Sequence, residues 1–296
     1  MKTLGKTEMA HTNIEYAEGG YGWNFLPGCR HGADICPVSA HCWARGMAKR
    51  YKKDFEPHLI PELLLAPLRV KKPSTILVNF MGELGGDWVD PEQIVHPECV
   101  ENPKGYRFLF PWPLARLVQH IIALCSQHRF LFLSKSPENW AKWGKFPDNA
   151  WVGASACNPE MFMEACEALS KTSAKNKWLS IEPLLERIGG GECEGLRLDG
   201  IKEAGISWVV IGRQDKPTIW PEIEWVKEIV EACDRAGVKV WLKNNMLPLF
   251  EEKRGKTFVQ YRQGVDMDLF FPIIPNRPNL RKDRQETPWG GIKCSK

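Results

Sequence analysis

The chain has 296 residues and a hydrophobic content of 43%, enough to bury a sizeable core within one large domain. Its 40 basic and 36 acidic residues nearly balance, so the composition does not indicate an obligate nucleic-acid binder. The apolar runs are too short to span a bilayer, and the amino-terminal residues lack the apolar core of a secretory signal. We therefore expect a cytoplasmic protein with no membrane partner.

Short runs rich in Val, Ile, Leu and aromatic residues recur along the chain, without the alternation that marks a half-exposed strand. Such runs are typical of strands that are buried on both faces, as in a parallel sheet. The run at 21–26 is the least regular, and the others lie at 74–80, 129–135, 150–156, 177–184, 207–212 and 239–245.

Amphipathic stretches lie between many of these runs, and their spacing predicts helices. The last stretch has Pro221 at its first turn and Gly237 after its end, which are common helix boundaries. Alternating strands and helices predict an α/β protein with six or seven parallel strands in a complete or partial (β/α) barrel. No GxGxxG or P-loop fingerprint favours a dinucleotide-binding sheet. The predicted helices cover 41–55, 113–128, 159–172 and 221–237.

Each predicted strand is followed by polar or small side chains. In barrels the carboxyl ends of the strands form the active site, so these side chains are expected to line one common mouth. They are Asn79 to Glu83, Ser134, Lys135, Ser155, Ser180, Glu182, Arg213, Gln214, Asp215, Lys243, Asn244 and Asn245.

The chain contains ten cysteines. Without a secretory signal, these thiols are expected to stay reduced, either for metal binding or as small buried groups. Helical patterns place Cys125, Cys166 and Cys233 in the core, and loop-like segments place Cys99, Cys193 and Cys294 at the surface. Cys157 follows a strand end and receives no assignment.

Three further cysteines, Cys29, Cys36 and Cys42, lie close together in GYGWNFLPGCRHGADICPVSAHCWARGMAKRY, between the first predicted strand and the first helix. Three close thiolates fit a 4Fe-4S cluster in which one iron has no protein ligand and is free to hold a cofactor. Judged by the types of ligand present, the alternative is a zinc site in which His31 or His41 supplies the fourth ligand.

The chain also resembles the three-cysteine-motif phage protein family, which is radical-SAM-like and has a cysteine loop similar to that of spore photoproduct lyase. Matching segments occur in order over roughly 13–246. The spacing differs in one respect, because five residues separate the last two cysteines here and fewer do so in the family. The segments that carry the resemblance are GYGWNFLPGC, HCWARGMAKR, ILVNFMGELGGDWV, FLFLSKSPENWAKW, NAWVGASACN, KWLSIEPLLERI, ISWVVIGRQDKP and GVKVWLKNN.

This resemblance implies a partial barrel of the radical SAM type over residues 1–256, followed by an irregular extension at 257–296. It implies a radical S-adenosylmethionine enzyme whose 4Fe-4S cluster cleaves S-adenosylmethionine reductively to a 5′-deoxyadenosyl radical. An external electron donor is then required, and family members are often encoded beside a partner protein. Similarity to spore photoproduct lyase makes a nucleic-acid substrate conceivable.

The resemblance also assigns residues. Cys29, Cys36 and Cys42 would hold the cluster, and Trp43 would pack on it and limit water. Gly82 and Glu83 would receive the methionine amino group, with Asp87 as the alternative acid. The ribose and carboxylate of the cofactor would face Ser134, Lys135 and Ser155, and the substrate would face Glu182, Lys243, Arg213 and Gln214.

Two rival functions follow from the residues alone. The first is a metal-containing nucleic-acid-binding or accessory protein without catalysis. It draws on features typical of single-strand recognition, namely thirteen tryptophans, the basic segment 69–72 and the basic carboxyl-terminal residues. A zinc hydrolase is the other rival, but no HExxH or similar histidine pair supports it. The colour and metal content of the purified protein would separate these classes.

Overall fold

The computed structural model describes residues 9–96, 111–189, 196–250 and 284–289. Eight of its strands form one sheet in the order β1-β2-β3-β6-β7-β8-β9-β10, and β4 and β5 form a separate antiparallel pair. The strands are β1 (Ala10–His11), β2 (Tyr21–Trp23), β3 (Thr75–Val78), β4 (Ile94–Val95), β5 (Trp112–Pro113), β6 (Arg129–Ser134), β7 (Ala150–Ser155), β8 (Asn176–Ile181), β9 (Ile206–Ile211) and β10 (Lys239–Leu242).

Every neighbouring pair from β2 to β10 in the large sheet is parallel, and only β1 pairs antiparallel with its neighbour β2. The prediction of an α/β protein with six or seven parallel strands is therefore confirmed, with seven. Each predicted run coincides with one of these strands, because strands covered on both faces need continuous apolar sequence.

Local sequence sets the helix boundaries. The side chain of Asn158 accepts a hydrogen bond from the Met161 amide and caps α4, which begins at Pro159. Helix α6 ends before Gly237, whose φ of 70° is in the left-handed region that glycine tolerates. The helices are α1 (Trp43–Arg50), α2 (Pro61–Leu64), α3 (Leu114–Leu124), α4 (Pro159–Lys171), α5 (Leu196–Glu203) and α6 (Ile223–Ala236).

Helices α2 to α6 pack on one face of the sheet, which we call the outer face. Alternate residues of each strand, such as Phe130 and Phe132 of β6, belong to the same buried cluster as the apolar sides of α3, α4 and α6. Cys125, Cys166 and Cys233 are buried in this cluster, as their helical patterns predict. Cys99, Cys193 and Cys294 lie outside the described residues.

The opposite, inner face is filled by aromatic side chains. Trp178 and Trp208 stack with ring centroids 5.1 Å apart, and the edge of Tyr16 meets both of them. Gly153 leaves room for the Trp178 indole, since a Cβ at this position would lie 2.3 Å from its Nε1 atom. The aromatic residues of this inner cluster are Tyr16, Trp151, Trp178, Trp208 and Trp241, with Trp289 packed against them.

The two edges of the sheet approach each other across this inner cluster. A 3-10 helix at Glu15–Ala17 connects β1 to β2 at one edge, and its Glu15 carboxylate accepts a hydrogen bond of 2.8 Å from the Asn244 amide beyond β10 at the other edge. The Tyr16 ring also contacts Trp241 of β10. The sheet is therefore strongly curved around its inner face.

The predicted carboxyl-terminal extension at 257–296 is described only for 284–289. These residues run antiparallel beside β10, with backbone hydrogen bonds from Leu242 to Arg284 and from Glu286 to Val240. The Trp289 ring packs against Trp208 with a centroid separation of 5.2 Å. This short segment thus belongs to the folded unit and extends the inner cluster.

We expect Trp289→Ala to lower the free energy of unfolding by about 2 kcal/mol, because the indole contacts Trp151 and Trp208 and lies 4.6 Å from the Arg129 guanidinium. The measurement is urea unfolding of the metal-free protein. Trp43→Ala is the matched control, since Trp43 is 58% exposed and its loss should cost no more than about 0.5 kcal/mol. Equal stability of the two variants would contradict the packing role of Trp289.

Candidate functional site

Polar side chains form a layer at the carboxyl end of the inner face. The side chains of a strand alternate between its two faces, so the residue two positions beyond an inner tryptophan or leucine also points inward. Glu182 lies four positions beyond Trp178, and Lys243 lies two positions beyond Trp241, so both are expected to point inward. Lys135, directly after β6, and Ser155, the last residue of β7, occupy the same level. The predicted common mouth therefore has a physical basis in the strand register.

Lys135 and Ser155 are in direct contact in this layer, because the Lys135 ammonium donates a 3.0 Å hydrogen bond to the Ser155 hydroxyl. Burial alone lowers the pKa of Lys135, but the electrostatic effects of Cys157, Cys36, Glu83 and Glu182 outweigh it and leave that pKa raised. Lys135 is thus a cation at neutral pH that faces both the cysteine loop and the later strands.

Glu182 and Lys243 form an ion pair at the ends of β8 and β10. Their side chains are 25% and 17% exposed, so solvent reaches the pair. Gly212, at the end of the intervening β9, lacks a side chain, and a Cβ there would lie 3.1 Å from Glu182 Cγ and from Lys243 Cδ. The pair therefore crosses over Gly212, where any larger residue would crowd both side chains.

A hydrogen-bonded turn after β3 anchors the segment that leads into the cysteine loop. Asn79 has a φ of 59°, accepts a hydrogen bond from the Leu26 amide and donates one to the Leu26 carbonyl. Gly82 pairs with Gly28, and a Cβ at Gly82 would lie 2.4 Å from the Leu26 carbonyl oxygen. Gly82 is thus required for close approach of two backbones, whatever its predicted cofactor role.

Glu83 is a buried carboxylate that is held by three hydrogen bonds. Its Oε1 atom accepts from the Gly85 amide at 2.8 Å and the Ser134 hydroxyl at 2.6 Å, and its Oε2 atom accepts from the Lys135 amide at 3.0 Å. A carboxylate offers about four acceptor sites, so one remains, on Oε2. His31 Nδ1 lies 3.9 Å from that oxygen. Glu83 thereby connects the ends of β3 and β6 beside the cysteine loop.

His31 is buried within the cysteine loop. Its Nε2 atom lies 2.9 Å from the Ser136 hydroxyl, and its ring packs edge-on against Trp88. Burial lowers the pKa of His31 and the Glu83 carboxylate opposes that shift, with a net lowering. The His31 side chain therefore holds the loop against the segments that follow β3 and β6.

The three predicted cluster ligands, Cys29, Cys36 and Cys42, differ in how burial affects them. Burial raises the pKa of the Cys29 thiol to about 11, and Glu83, Cys36 and Cys42 contribute to that rise. Burial also raises the pKa of Cys36, against the opposing charge of Lys135. Cys42 lies at the amino terminus of α1, where its sulfur accepts the Arg45 amide hydrogen. Burial is thus the largest influence on the Cys29 and Cys36 thiols, and Cys42 begins the helix beside them.

Within the described residues, no three or more His, Cys, Asp or Glu side chains are gathered closely enough to hold a metal ion. The neighbouring Trp43 is 58% exposed, and its predicted packing on a cluster stays a prediction. A metal would have to displace thiol protons and draw the Cys29–Cys42 loop together, so its binding would be coupled to ordering of the loop.

Two predicted site residues have other partners in the structure. The Arg213 guanidinium donates to the Asn245 and Gln214 carbonyls, pairs with Asp215 at 3.0 Å and stacks over the Trp220 ring. These contacts fix the loop after β9. The Gln214 amide donates to the Lys216 and Pro217 carbonyls of the same loop.

The alternative acid, Asp87, has a side chain that is 87% exposed. It accepts a hydrogen bond of 3.1 Å from the Asn139 amide and lies 3.6 Å from the Lys142 ammonium. Its exposed oxygens can accept further hydrogen bonds, whereas most acceptor sites of the Glu83 carboxylate are already occupied.

Cys157 is a further residue of this region. Its thiol is fully buried just beyond β7, and burial raises its pKa to about 11 while the Lys135 charge opposes the rise. Cys36 and Glu182 also raise that pKa. The sequence shows its position after a strand end, but not the influence of Cys36, which lies more than a hundred positions earlier.

The fold and site together define an α/β protein with a mostly parallel sheet and a polar layer at the carboxyl end of its inner face. The chain belongs to the family described as "Protein of unknown function (DUF5131)", whose model matches residues 110–258. That match includes β6 to β10 and lies wholly after the cysteine loop. The chain matches no curated protein and no solved structure at a significant level. No described helix has the length and apolar character needed to cross a membrane.

Proposed function

We propose that this chain is a radical S-adenosylmethionine enzyme with the partial (β/α) barrel of that class, and that Cys29, Cys36 and Cys42 hold a 4Fe-4S cluster. The observation that carries the proposal is the position of these three thiols in one loop of the fold. They follow β2, at the carboxyl end of a curved sheet with seven parallel strands. Their soft, all-sulfur donor set suits iron–sulfur chemistry or zinc.

When bound, the cluster and S-adenosylmethionine would supply reductive cleavage of a carbon–sulfur bond, yielding a 5′-deoxyadenosyl radical that attacks the substrate. The protein would position and shield these groups. Glu83 keeps one acceptor site on Oε2, suited to the methionine ammonium. The Lys135 ammonium is suited to the methionine carboxylate, and the Ser155 hydroxyl it contacts is suited to the ribose.

The Glu182–Lys243 pair would face the substrate, because it lies on the later strands and is open to solvent. Arg213 would act by shaping the loop beside this pair, through its contacts with Asn245 and Asp215. The tryptophans of the inner cluster fill the other end of the inner face. Access of cofactor and substrate would therefore be from the carboxyl end.

The rival nucleic-acid function draws less support from the fold. Its basic segment at 69–72 directly precedes β3 and so lies at the amino end of the sheet, opposite the cysteine loop. The tryptophans Trp151, Trp178, Trp208 and Trp241 belong to the buried inner cluster and offer no stacking surface.

The test is anaerobic reconstitution with iron and sulfide, followed by electron paramagnetic resonance of the reduced protein with and without S-adenosylmethionine. We expect a cluster signal that changes when S-adenosylmethionine is added, because an open iron would bind it. A protein that takes up zinc but no iron–sulfur cluster would support the zinc alternative instead. A cluster whose signal is indifferent to S-adenosylmethionine would contradict the proposed cofactor site.

A further inference from the structure

The exposed side of α1 carries an unbalanced positive charge beside the cysteine loop. Lys49, Arg50, Lys52 and Lys53 are all exposed, and none of them forms an ion pair within the described residues. Of the nearest acids in sequence, Glu56 is paired with Arg30 at 2.9 Å, and Asp54 is exposed directly after Lys53. The four cations thus outnumber the one acid beside them that takes part in no ion pair of the described residues, and they leave an excess of positive charge.

The same surface exposes large apolar side chains. Of the six exposed large hydrophobic residues in the described part of the chain, Ile35, Trp43 and Tyr51 lie in the cysteine loop or in and directly after α1. Trp43 and Arg50 are seven positions apart and therefore lie on the same face of the helix. We define the α1 surface as Trp43, Lys49, Arg50, Tyr51, Lys52 and Lys53.

The α1 surface is bonded directly to the proposed cluster loop. Helix α1 begins one residue after Cys42. The chain then returns past Cys29, whose amide donates to the Phe55 carbonyl at 3.1 Å. Arg45 of the helix donates to the Cys29 carbonyl and stacks over Phe55. A protein docked on this surface would therefore lie beside the cysteine loop.

We propose that the α1 surface is the docking site of an acidic one-electron carrier protein. This inference rests on the proposed function, because it needs a cluster in the cysteine loop. Exposed cations around a small apolar centre suit a weak, electrostatically steered encounter with an acidic partner. The inner layer, with Glu182 and Lys243 paired, offers no comparable excess of cations.

The electron-transfer step is simple to balance. One electron passes from the hydroquinone flavin of an acidic flavodoxin to the oxidised cluster, which leaves the flavin as its semiquinone and the cluster reduced by one electron. No covalent bond forms or breaks at this step. The role of the α1 surface is to bring the carrier to the cysteine loop and hold it there.

The test compares two variants with the same loss of charge. Variant K49Q/R50Q/K52Q/K53Q neutralises the α1 surface without placing acids at the helix end. Control variant K71Q/K72Q/K202Q/K239Q removes four exposed lysines near the amino ends of the strands. Binding of an oxidised acidic flavodoxin to each metal-free protein is measured by calorimetry. Reduction of each reconstituted protein by flavodoxin hydroquinone is followed in a stopped-flow instrument.

We expect the α1 variant to lose about tenfold or more in the second-order rate of reduction and in flavodoxin affinity. The control variant should match the wild type. The wild-type rate should fall steeply between about 0.05 and 0.5 M salt. Photoreduced deazaflavin, a small donor that needs no docking, should reduce all three proteins equally.

Other outcomes separate the two proposals. No reducible cluster in wild type with deazaflavin would overturn the proposed function and this inference with it. Normal reduction of wild type by deazaflavin, with equal flavodoxin rates in the two variants, would overturn the docking site alone. The docking site would also be overturned if the α1 variant lost only its affinity for a single-stranded oligonucleotide, since the surface would then bind nucleic acid.

Discussion

Cys36→Ala is expected to abolish iron–sulfur reconstitution, with iron falling from about four atoms per chain to near zero. Cys36 is the middle of the three proposed ligands, and its thiol shares its electrostatic surroundings with Cys42, Glu83 and Lys135. With two thiolates remaining, the loop offers too few ligands for a cubane cluster. Iron and sulfide analysis after anaerobic reconstitution measures the effect.

The matched control is Cys166→Ala. Both Cys36 and Cys166 are 8% exposed, but Cys166 lies in α4 within the outer core. Each substitution removes one buried sulfur and should lower the free energy of unfolding by about 1 kcal/mol. Only Cys36→Ala should lose iron. Full iron content in Cys36→Ala would show that Cys36 is not a ligand, and loss of iron in both variants would point to a general effect of lowered stability.

The parallel strands could be predicted from the sequence because their burial on both faces leaves a local signal. The runs at 129–135 and 150–156 are nearly continuous in apolar residues, and they coincide with β6 and β7. Helix α5 leaves a weaker signal. Its sequence LRLDGIKE has four charged residues and contains Gly200, so the local pattern does not predict a helix there. This helix is therefore stabilised by its packing in the fold rather than by its local sequence pattern.

The contacts of the site join residues that are distant in sequence, so sequence patterns predict only which end of the sheet these residues occupy. The polar ends of the strands predict a common mouth because parallel strands end at the same edge. The hydrogen bonds that Ser134 and Lys135 donate to Glu83, however, cross some fifty positions of sequence. Arg213 shows the same limit, because its partner Asn245 lies beyond another helix and strand.

Glu83→Ala is expected to weaken S-adenosylmethionine binding at least tenfold and also to lower the free energy of unfolding by about 3 kcal/mol. The stability loss follows because the Gly85 amide, the Ser134 hydroxyl and the Lys135 amide would lose their buried acceptor. The affinity loss follows because the free acceptor site on Oε2 would no longer meet the methionine ammonium. Calorimetry on reconstituted protein and urea unfolding measure the two effects.

Asp87→Ala and Glu83→Gln separate these effects. Asp87 is mostly exposed, so its loss should change stability by no more than about 0.5 kcal/mol and leave affinity unchanged. Glu83→Gln keeps one oxygen for the Gly85 and Ser134 donors but sets an amide group against the Lys135 amide. It should therefore lose affinity with a smaller loss of stability than Glu83→Ala. Normal affinity in Glu83→Gln with weakened binding in Asp87→Ala would transfer the ammonium site to Asp87 and leave Glu83 as a structural link between β3 and β6.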